Sequence, residues 1–305
     1  MRSQIITNLL LLIFVIALAL FLFGNDEDKN KIIKLSTLSA DQVEQVNIYH
    51  NQREILLKKI NQQWQLTKPV DIQANQFRIK TLLNLLSTTS HAQYETDNLK
   101  LEKYGLDKPA TYIIFNDTKI YFGIVNPVNN LRYVKIENKL HLIDDHYYPL
   151  LSSQMGTLVA RELLPAEKQV NKLVLPTHTF TRDTNNKWQS TTEISADAIV
   201  ETIYQWQHKQ AFAVHDLVQR KSLGEIQVYF KNDKTPVLFH ITDVDPWLII
   251  ARPELKLEYH FNMEDYDSLL KPDTFNSKDN HNQNNSDIQT LQVSPDEFID
   301  AIQSQ

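Results

Sequence analysis

The chain has 305 residues, a formal net charge of −6, no cysteine and only five glycines. Its mild acidity and the lack of any basic stripe argue against nucleic acid as a partner. The missing thiols exclude disulfides, thiol catalysis, cysteine-ligated metals and an acylated lipoprotein anchor.

The first element is an apolar run from Ile5 to Phe23, broken only by Thr7 and Asn8. About 20 apolar residues cross a hydrocarbon core, so residues 1–24 read as a single transmembrane anchor. Arg2 precedes the run and Asp26-Glu27-Asp28 follow it. That asymmetry predicts a cytoplasmic amino terminus and a translocated body: a single-pass membrane protein whose body, in a bacterium, would be the periplasmic domain of an inner-membrane protein. A cleaved signal peptide is the alternative, with Ala17-Leu18-Ala19 as its small-residue site. The apolar run continues beyond that site, which favours retention.

After a linker over 25–40, the remaining body is large enough for two cores. A repeat runs through it. Gln45-Val46-Asn47 returns as Gln169-Val170-Asn171, Asn61 as Asn185, and Trp64-Gln65 as Trp188-Gln189. Each match has the same offset of 124 residues (169 − 45, 185 − 61, 188 − 64). This predicts two tandem α+β units, 41–156 and 157–272, each of mainly antiparallel sheet with one main helix.

In each unit two strands and a Trp-bearing strand lead into the helix. Ile79, Leu82, Leu83 and Leu86 make an amphipathic stripe in the first copy. Ala196, Ile199, Val200 and Ile203, extended by Trp206, do so in the second, with Ser195 as the N-cap. A four-strand meander follows. Its first hairpins are Tyr112–Phe115 with Ile120–Phe122, turning at Asn116-Asp117, and Ile226–Phe230 with Val237–Phe239, turning at Asn232-Asp233. Its second hairpins are Arg132–Ile136 with Lys139–Ile143, and Trp247–Ala251 with Leu255–Phe261. Short helical segments around Tyr147–Leu151 and Tyr266–Leu270 close the units. Trp64 and Trp188 read as core residues rather than ligand-stacking ones.

Beyond Pro272 the composition turns to Asn, Ser, Asp and Lys, so 273–287 reads as a disordered polar linker. A short strand and helix are expected over 288–305. Ser294 and Pro295 mark the helix start, and Phe298, Ile299 and Ile302 form its apolar face.

Chemistry-bearing patterns are sparse. The five glycines, Gly24, Gly105, Gly123, Gly156 and Gly224, are too far apart to build a phosphate-cradling loop, so no nucleotide is expected. The densest ionisable cluster is His141 with Asp144, Asp145 and His146, a composition that suits a transition metal but here reads as a solvated turn. Asp243-Val244-Asp245 resembles the start of a calcium loop but lacks its glycine and terminal glutamate. No catalytic, cofactor-binding or metal-ligating residue is assigned, and no cofactor is expected.

Gln63-Trp64-Gln65-Leu66 with Lys68-Pro69, then the helix, then Tyr104-Gly105-Leu106-Asp107-Lys108-Pro109, resembles the bacterial family of domain of unknown function 4340. The resemblance covers roughly residues 40 to 270 and is strongest in the first copy. In the second copy Lys221-Ser222-Leu223-Gly224 stands where the Tyr-Gly-Leu-Asp turn would be. The turn itself reads as a fold determinant, with Gly105 in a left-handed conformation. What the resemblance implies is a membrane-anchored extracytoplasmic domain, auxiliary to an ABC-type exporter, with no activity attached.

The expected function is therefore a non-enzymatic accessory or interaction protein, held in the inner membrane by residues 5–23 and bound to a protein partner, an ABC-type permease or an envelope complex. The alternative is a module binding a glycan or a lipid-linked precursor, with Tyr133, Trp247 and Tyr259 stacking on sugars. A less favoured third reading is an envelope hydrolase with paired carboxylates.

Overall fold

The computed structural model describes residues 11–18 and 33–272. Residues 11–18 form a helix, α1, with every side chain exposed. The rest of the expected anchor, the polar linker at 273–287 and the terminal segment 288–305 with Phe298 lie outside the described residues. Among the described residues no helix is long and apolar enough to cross a membrane.

The body is two antiparallel sheets with a few helices, an α+β arrangement. The first is built from β2 (Gln45–His50), β3 (Arg53–Ile60), β4 (Gln63–Lys68), β5 (Ile72–Gln73), β7 (Ala92–Glu95), β8 (Thr111–Phe115), β9 (Thr118–Val125), β10 (Arg132–Ile136) and β11 (Lys139–Ile143). They lie in the order β5-β4-β3-β2-β8-β9-β10-β11-β7. The second holds β12 (Val170–Val174), β13 (Thr179–Arg182), β14 (Trp188–Ser190), β15 (Ala213–Asp216), β16 (Gly224–Phe230), β17 (Val237–Val244), β18 (Trp247–Arg252) and β19 (Leu257–Asn262). Its order is β14-β13-β12-β16-β17-β18-β19-β15. Apart from the two-residue β5, the two orders correspond strand for strand.

Hairpin chemistry explains the meanders. Asn116 and Asn232 take positive φ, 51° and 75°, at the β8–β9 and β16–β17 turns. Such a turn suits the right-handed twist of the strands it joins. The second hairpin of the first sheet has the expected strands, paired from Arg132↔Ile143 to Ile136↔Lys139. In the second sheet Leu255 belongs to a 3-10 turn over Pro253–Leu255, and the strand starts at Leu257. Pro253 at the start of that turn has no N–H for a ladder.

The edge strands β7 and β15 were not anticipated. Each precedes its meander in sequence yet pairs with the last strand of it, β11 or β19. Residues 33–40, expected as linker, are also structured. β1 (Ile33–Lys34) pairs with β6 (Thr89–Ser90), and Leu35 is buried.

Of the helices, α2 (Gln76–Leu83) is capped by Asn75 and α4 (Ala196–His208) by Ser195, each accepting from the backbone N–H three residues on. In α4 the buried face differs from the expected stripe. Ala196 and Val200 are exposed, and Ala198, Ile199, Thr202, Ile203 and Trp206 are buried. Thr202 is tolerated there because its hydroxyl donates to the Ala198 carbonyl at 2.9 Å. Trp206 donates its indole N–H to Leu269 O at 2.8 Å, tying α4 to α5 (Asp265–Leu270). A short α3 (Tyr148–Ser152) closes the first half.

The two halves do not hold separate cores. One continuous buried cluster runs from Leu35 and Val46 through Leu158 and Leu163 to Phe239 and Leu269. Trp64 is in it, whereas Trp188 packs on its margin beneath the Arg182 guanidinium.

Candidate functional site

The residues singled out for chemistry do not converge. His141 is buried on β11, while His146 is exposed. Ser90 Oγ donates to Ala92 O at 2.8 Å, so the 3.0 Å contact to His141 is one that the imidazole Nδ1–H donates. That leaves His141 Nε2 as a buried acceptor with no partner. Burial, aided by the Lys139 charge, holds its pKa down at about 4. Asp145 is engaged by Arg132 through Nε at 2.5 Å and Nη2 at 2.8 Å, and Asp144 meets His91 at 3.0 Å. Among the described residues no group of three His, Asp or Glu side chains could hold a metal ion. Asp243 accepts from the backbone N–H of Val244 and Asp245, a turn rather than a cation loop.

Nor do the three proposed aromatics share a surface. Trp247 is exposed, Tyr133 half-buried against Tyr104, and Tyr259 fully buried. Tyr259 lies on the opposite side of the second sheet from Trp247, because Tyr259 alternates with Leu257 and Phe261 on the core face. Burial pushes its hydroxyl up to about 12.

The expected turn at Tyr104–Pro109 is structural, as read. Gly105 has φ 68° at the end of a 3-10 turn over Leu101–Tyr104. Its partner is Gly123 on β9, where an added Cβ would lie 2.1 Å from Tyr104 O. The turn thus presses directly onto the outer face of the sheet, and Leu106, Leu140 and Leu142 are buried there outside the main core.

What the structure does bring together is a cleft of about 370 Å³ at the junction of the halves. Its floor is the strap over residues 154–162. On one side Asn75 N–H donates to Leu158 O at 2.8 Å and Ala160 N–H to Gln73 O at 2.9 Å. On the other, Ala211 N–H donates to Arg161 O at 2.9 Å, and the Gly156 N–H reaches Asp216 Oδ1 at 3.3 Å. Gly156 is required: a Cβ there would sit 2.5 Å from Val214 O. The strap therefore sets the first turn of α2 opposite β15.

The side chains so gathered are Phe77 and Arg78 from α2, Arg161 from the strap, and Phe212 and His215 from β15 and its approach. Phe77 is 73% exposed and Phe212 43%. Arg161 donates to the neutral Gln210 Oε1 at 2.5 Å and, among the described residues, makes no direct salt bridge, and Arg78 has no side-chain partner there. No carboxylate lines the cleft. A larger groove of about 800 Å³ on the junction mixes Asp71, Glu162 and Glu167 with Lys168 and Arg252. There Lys168 is paired with Asp233, and Arg252 with Glu254.

Behind the cleft is a buried ionic cluster. His215 and His260 rings meet edge to face at 4.7 Å. Glu258, 1% exposed, accepts from His260 Nε2 at 2.9 Å, Arg220 Nη1 at 2.7 Å and the Val218 N–H at 3.0 Å. Burial pushes its pKa up, but the three donors outweigh burial and hold it below the ordinary glutamate value. An ionised Glu258 accepts only, so His260 Nε2 carries the proton. None of the cleft residues was legible as a set, because they come from three segments far apart in sequence.

A family model described as Domain of unknown function (DUF4340) matches residues 64–229, more than half of the chain. The chain belongs to this family. The match takes in the Trp64 strand, the Gly105 turn, the strap and β15, and ends within β16. No curated protein and no solved structure matches the chain.

Proposed function

We propose that this DUF4340 member is a non-enzymatic, membrane-anchored extracytoplasmic accessory protein that presents its body to a partner in the membrane or envelope, an ABC-type permease being the foremost. The observation carrying this reading is α1, whose Leu11, Leu12, Ile13, Phe14, Val15, Ile16 and Leu18 are all exposed. A helix apolar all round needs a surrounding apolar medium. The run of Ile5 to Phe23 with Arg2 before it and acidic residues after it supplies length and direction. Only residues 24–32 separate that run from β1. Nine extended residues reach about 30 Å, so the body would stay close to the bilayer.

The matched strand orders and the 124-residue offset support descent of the two halves from one duplicated unit. A second reading, a module binding a lipid-linked precursor, is favoured by the cationic cleft flanked by Phe77 and Phe212.

Two experiments test the proposal. The chain lacks cysteine, so Val128→Cys, at an 89% exposed site, gives a unique thiol. Labelling by a membrane-impermeant maleimide in intact spheroplasts is expected; labelling only after lysis would overturn the extracytoplasmic placement. Purification of the full-length protein in mild detergent is expected to bring a stoichiometric permease or ATPase. A clean monomer would remove the accessory role and leave ligand binding.

A further inference from the structure

The geometry points to the junction cleft as a binding site for a phosphoryl group, held by Arg78 and Arg161 and with its apolar or sugar moiety seated between Phe77 and Phe212. This deepens the reading of the protein as a binding module and rests on it.

Three observations carry the inference. First, the cleft concentrates two arginines and a histidine, without a carboxylate in its lining, on a chain whose net charge is −6. In the larger groove, by contrast, Lys168 and Arg252 each meet a carboxylate. Here the one polar partner of a guanidinium is the neutral Gln210. Gln210 Nε2 also donates to Glu162 at 2.7 Å. The amide therefore stands between Arg161 and the nearest carboxylate in sequence. The carboxylate after His215, Asp216, accepts from Gly156 N–H and lies in the field of Arg53 rather than lining the cleft.

Second, guanidinium groups match the planar, multidentate oxygen face of a phosphoryl group better than ammonium groups do. The first turn of α2 opens onto the same space, since Asn75, Phe77 and Arg78 all line it. The positive end of that helix adds to the same field.

Third, the site is assembled rather than accidental. Its walls come from both halves, and they approach only because position 156 is glycine. His215 is backed by His260, which is itself fixed on Glu258. Phe77 is unpartnered among the described residues, and Phe212, edged by Trp247 and His260, still keeps an exposed face; such rings would be a liability in a solvated groove. They become useful when the anion carries an apolar chain or a ring.

The phosphoryl group could belong to a lipid headgroup or to a small soluble phosphate ester, and the test separates them. Full-length protein in phosphatidylcholine nanodiscs is titrated calorimetrically with inorganic phosphate and, separately, with dihexanoyl phosphatidic acid. Saturable binding of phosphate is expected, weakened at least about tenfold by Arg78→Gln/Arg161→Gln. Both residues are exposed, so an unchanged melting temperature serves as the folding control. Tighter binding of the short-chain lipid, with that gain removed by Phe77→Ala, supports a lipid source. Equal affinity for both anions supports a soluble one. Absence of saturable binding by either anion, or wild-type affinity in the double arginine variant, would overturn the inference. Binding of a neutral oligosaccharide without binding of either anion overturns it too, while leaving the binding-module reading standing.

Discussion

The outer faces of the two sheets solve the same problem with opposite chemistry. In the first sheet β11 presents Leu140 and Leu142 outward, opposite Tyr94 and Ala92 of β7. In the second, β19 presents Glu258 and His260, opposite His215 and Ala213 of β15. The strands occupy matching places in the two sheet orders. Leu140, Leu142, Glu258 and His260 are all buried. One half buries leucines beside the segment carrying Gly105 and Leu106; the other buries a carboxylate met by Arg220 from the corresponding segment. A buried ion pair is rarely the more stable choice, because desolvation offsets most of its attraction. The ionic version stands beside the cationic cleft, where a fixed His260 supports His215. The polar support thus stands behind the β15 wall of the cleft alone; the facing wall, with Phe77 and Arg78, comes from α2 in the first half.

Exchange of the two chemistries is the sharpest test. Leu142→Glu places a buried carboxylate opposite Tyr133 and Ala92, where no arginine waits. A loss of about 3–5 kcal/mol in denaturant unfolding of the full-length protein is expected, the cost of an unpaired buried charge. Gly156→Ala attacks what joins the halves. A Cβ against Val214 O must push the strap off β15. Overpacking of that kind costs about 1–3 kcal/mol. In a body of this size that lowers the melting temperature by roughly 2–4 °C per kcal/mol. A variant that melts like wild type would show the junction to be loose.

His141 gives the comparison a pH axis. Its folded pKa is about 4, against an ordinary value of 6.5. The unfolded chain therefore binds a proton that the folded one refuses, and stability falls as pH drops from about 6.5 to 4. The full shift corresponds to an upper bound of about 3 kcal/mol. His141→Leu should flatten the melting temperature across that window. Glu258 acts lower: its stabilisation is present above the unfolded glutamate pKa and disappears as pH falls through its depressed folded value. Glu258→Gln should cost about 2 kcal/mol at neutral pH, the scale of charge-assisted hydrogen bonds. Glu258→Leu/His260→Leu copies the first half and should return to within about 1 kcal/mol of wild type. Smallest is Ser195→Ala, which removes the α4 cap for about 1 kcal/mol, readable by thermal melting.

Much of the frame was legible because it is local. Alternation and the Asn turns located the hairpins, and Ser195 located the start of α4. The phase of α4 was misread because two overlapping stripes satisfy the helical period. Val200 belongs to one and Trp206 to both, and only packing against α5 and Phe239 decides between them. Tyr259 was legible in principle, since Leu257, Tyr259 and Phe261 alternate as one buried face. The strands β7 and β15 were not, for four residues with few large apolar side chains carry no period of their own. The cleft depends on β15, on the strap and on the helix turn at residues 75–78, a conjunction that exists only in three dimensions.

That edge placement also bears on the order in which the molecule can be completed. Synthesis delivers the chain from its amino terminus. Strand β7 finds its neighbour once β11, ending at Ile143, has emerged. Strand β15 has no neighbour in the sheet until β19, ending at Asn262, arrives nearly fifty residues later. The first sheet can therefore be fully paired while His215 still dangles from an unpaired strand and the core that the halves share is still open. The β15 wall of the cleft is thus completed late, and a chain arrested before Leu257 would carry a paired first sheet and no junction cleft.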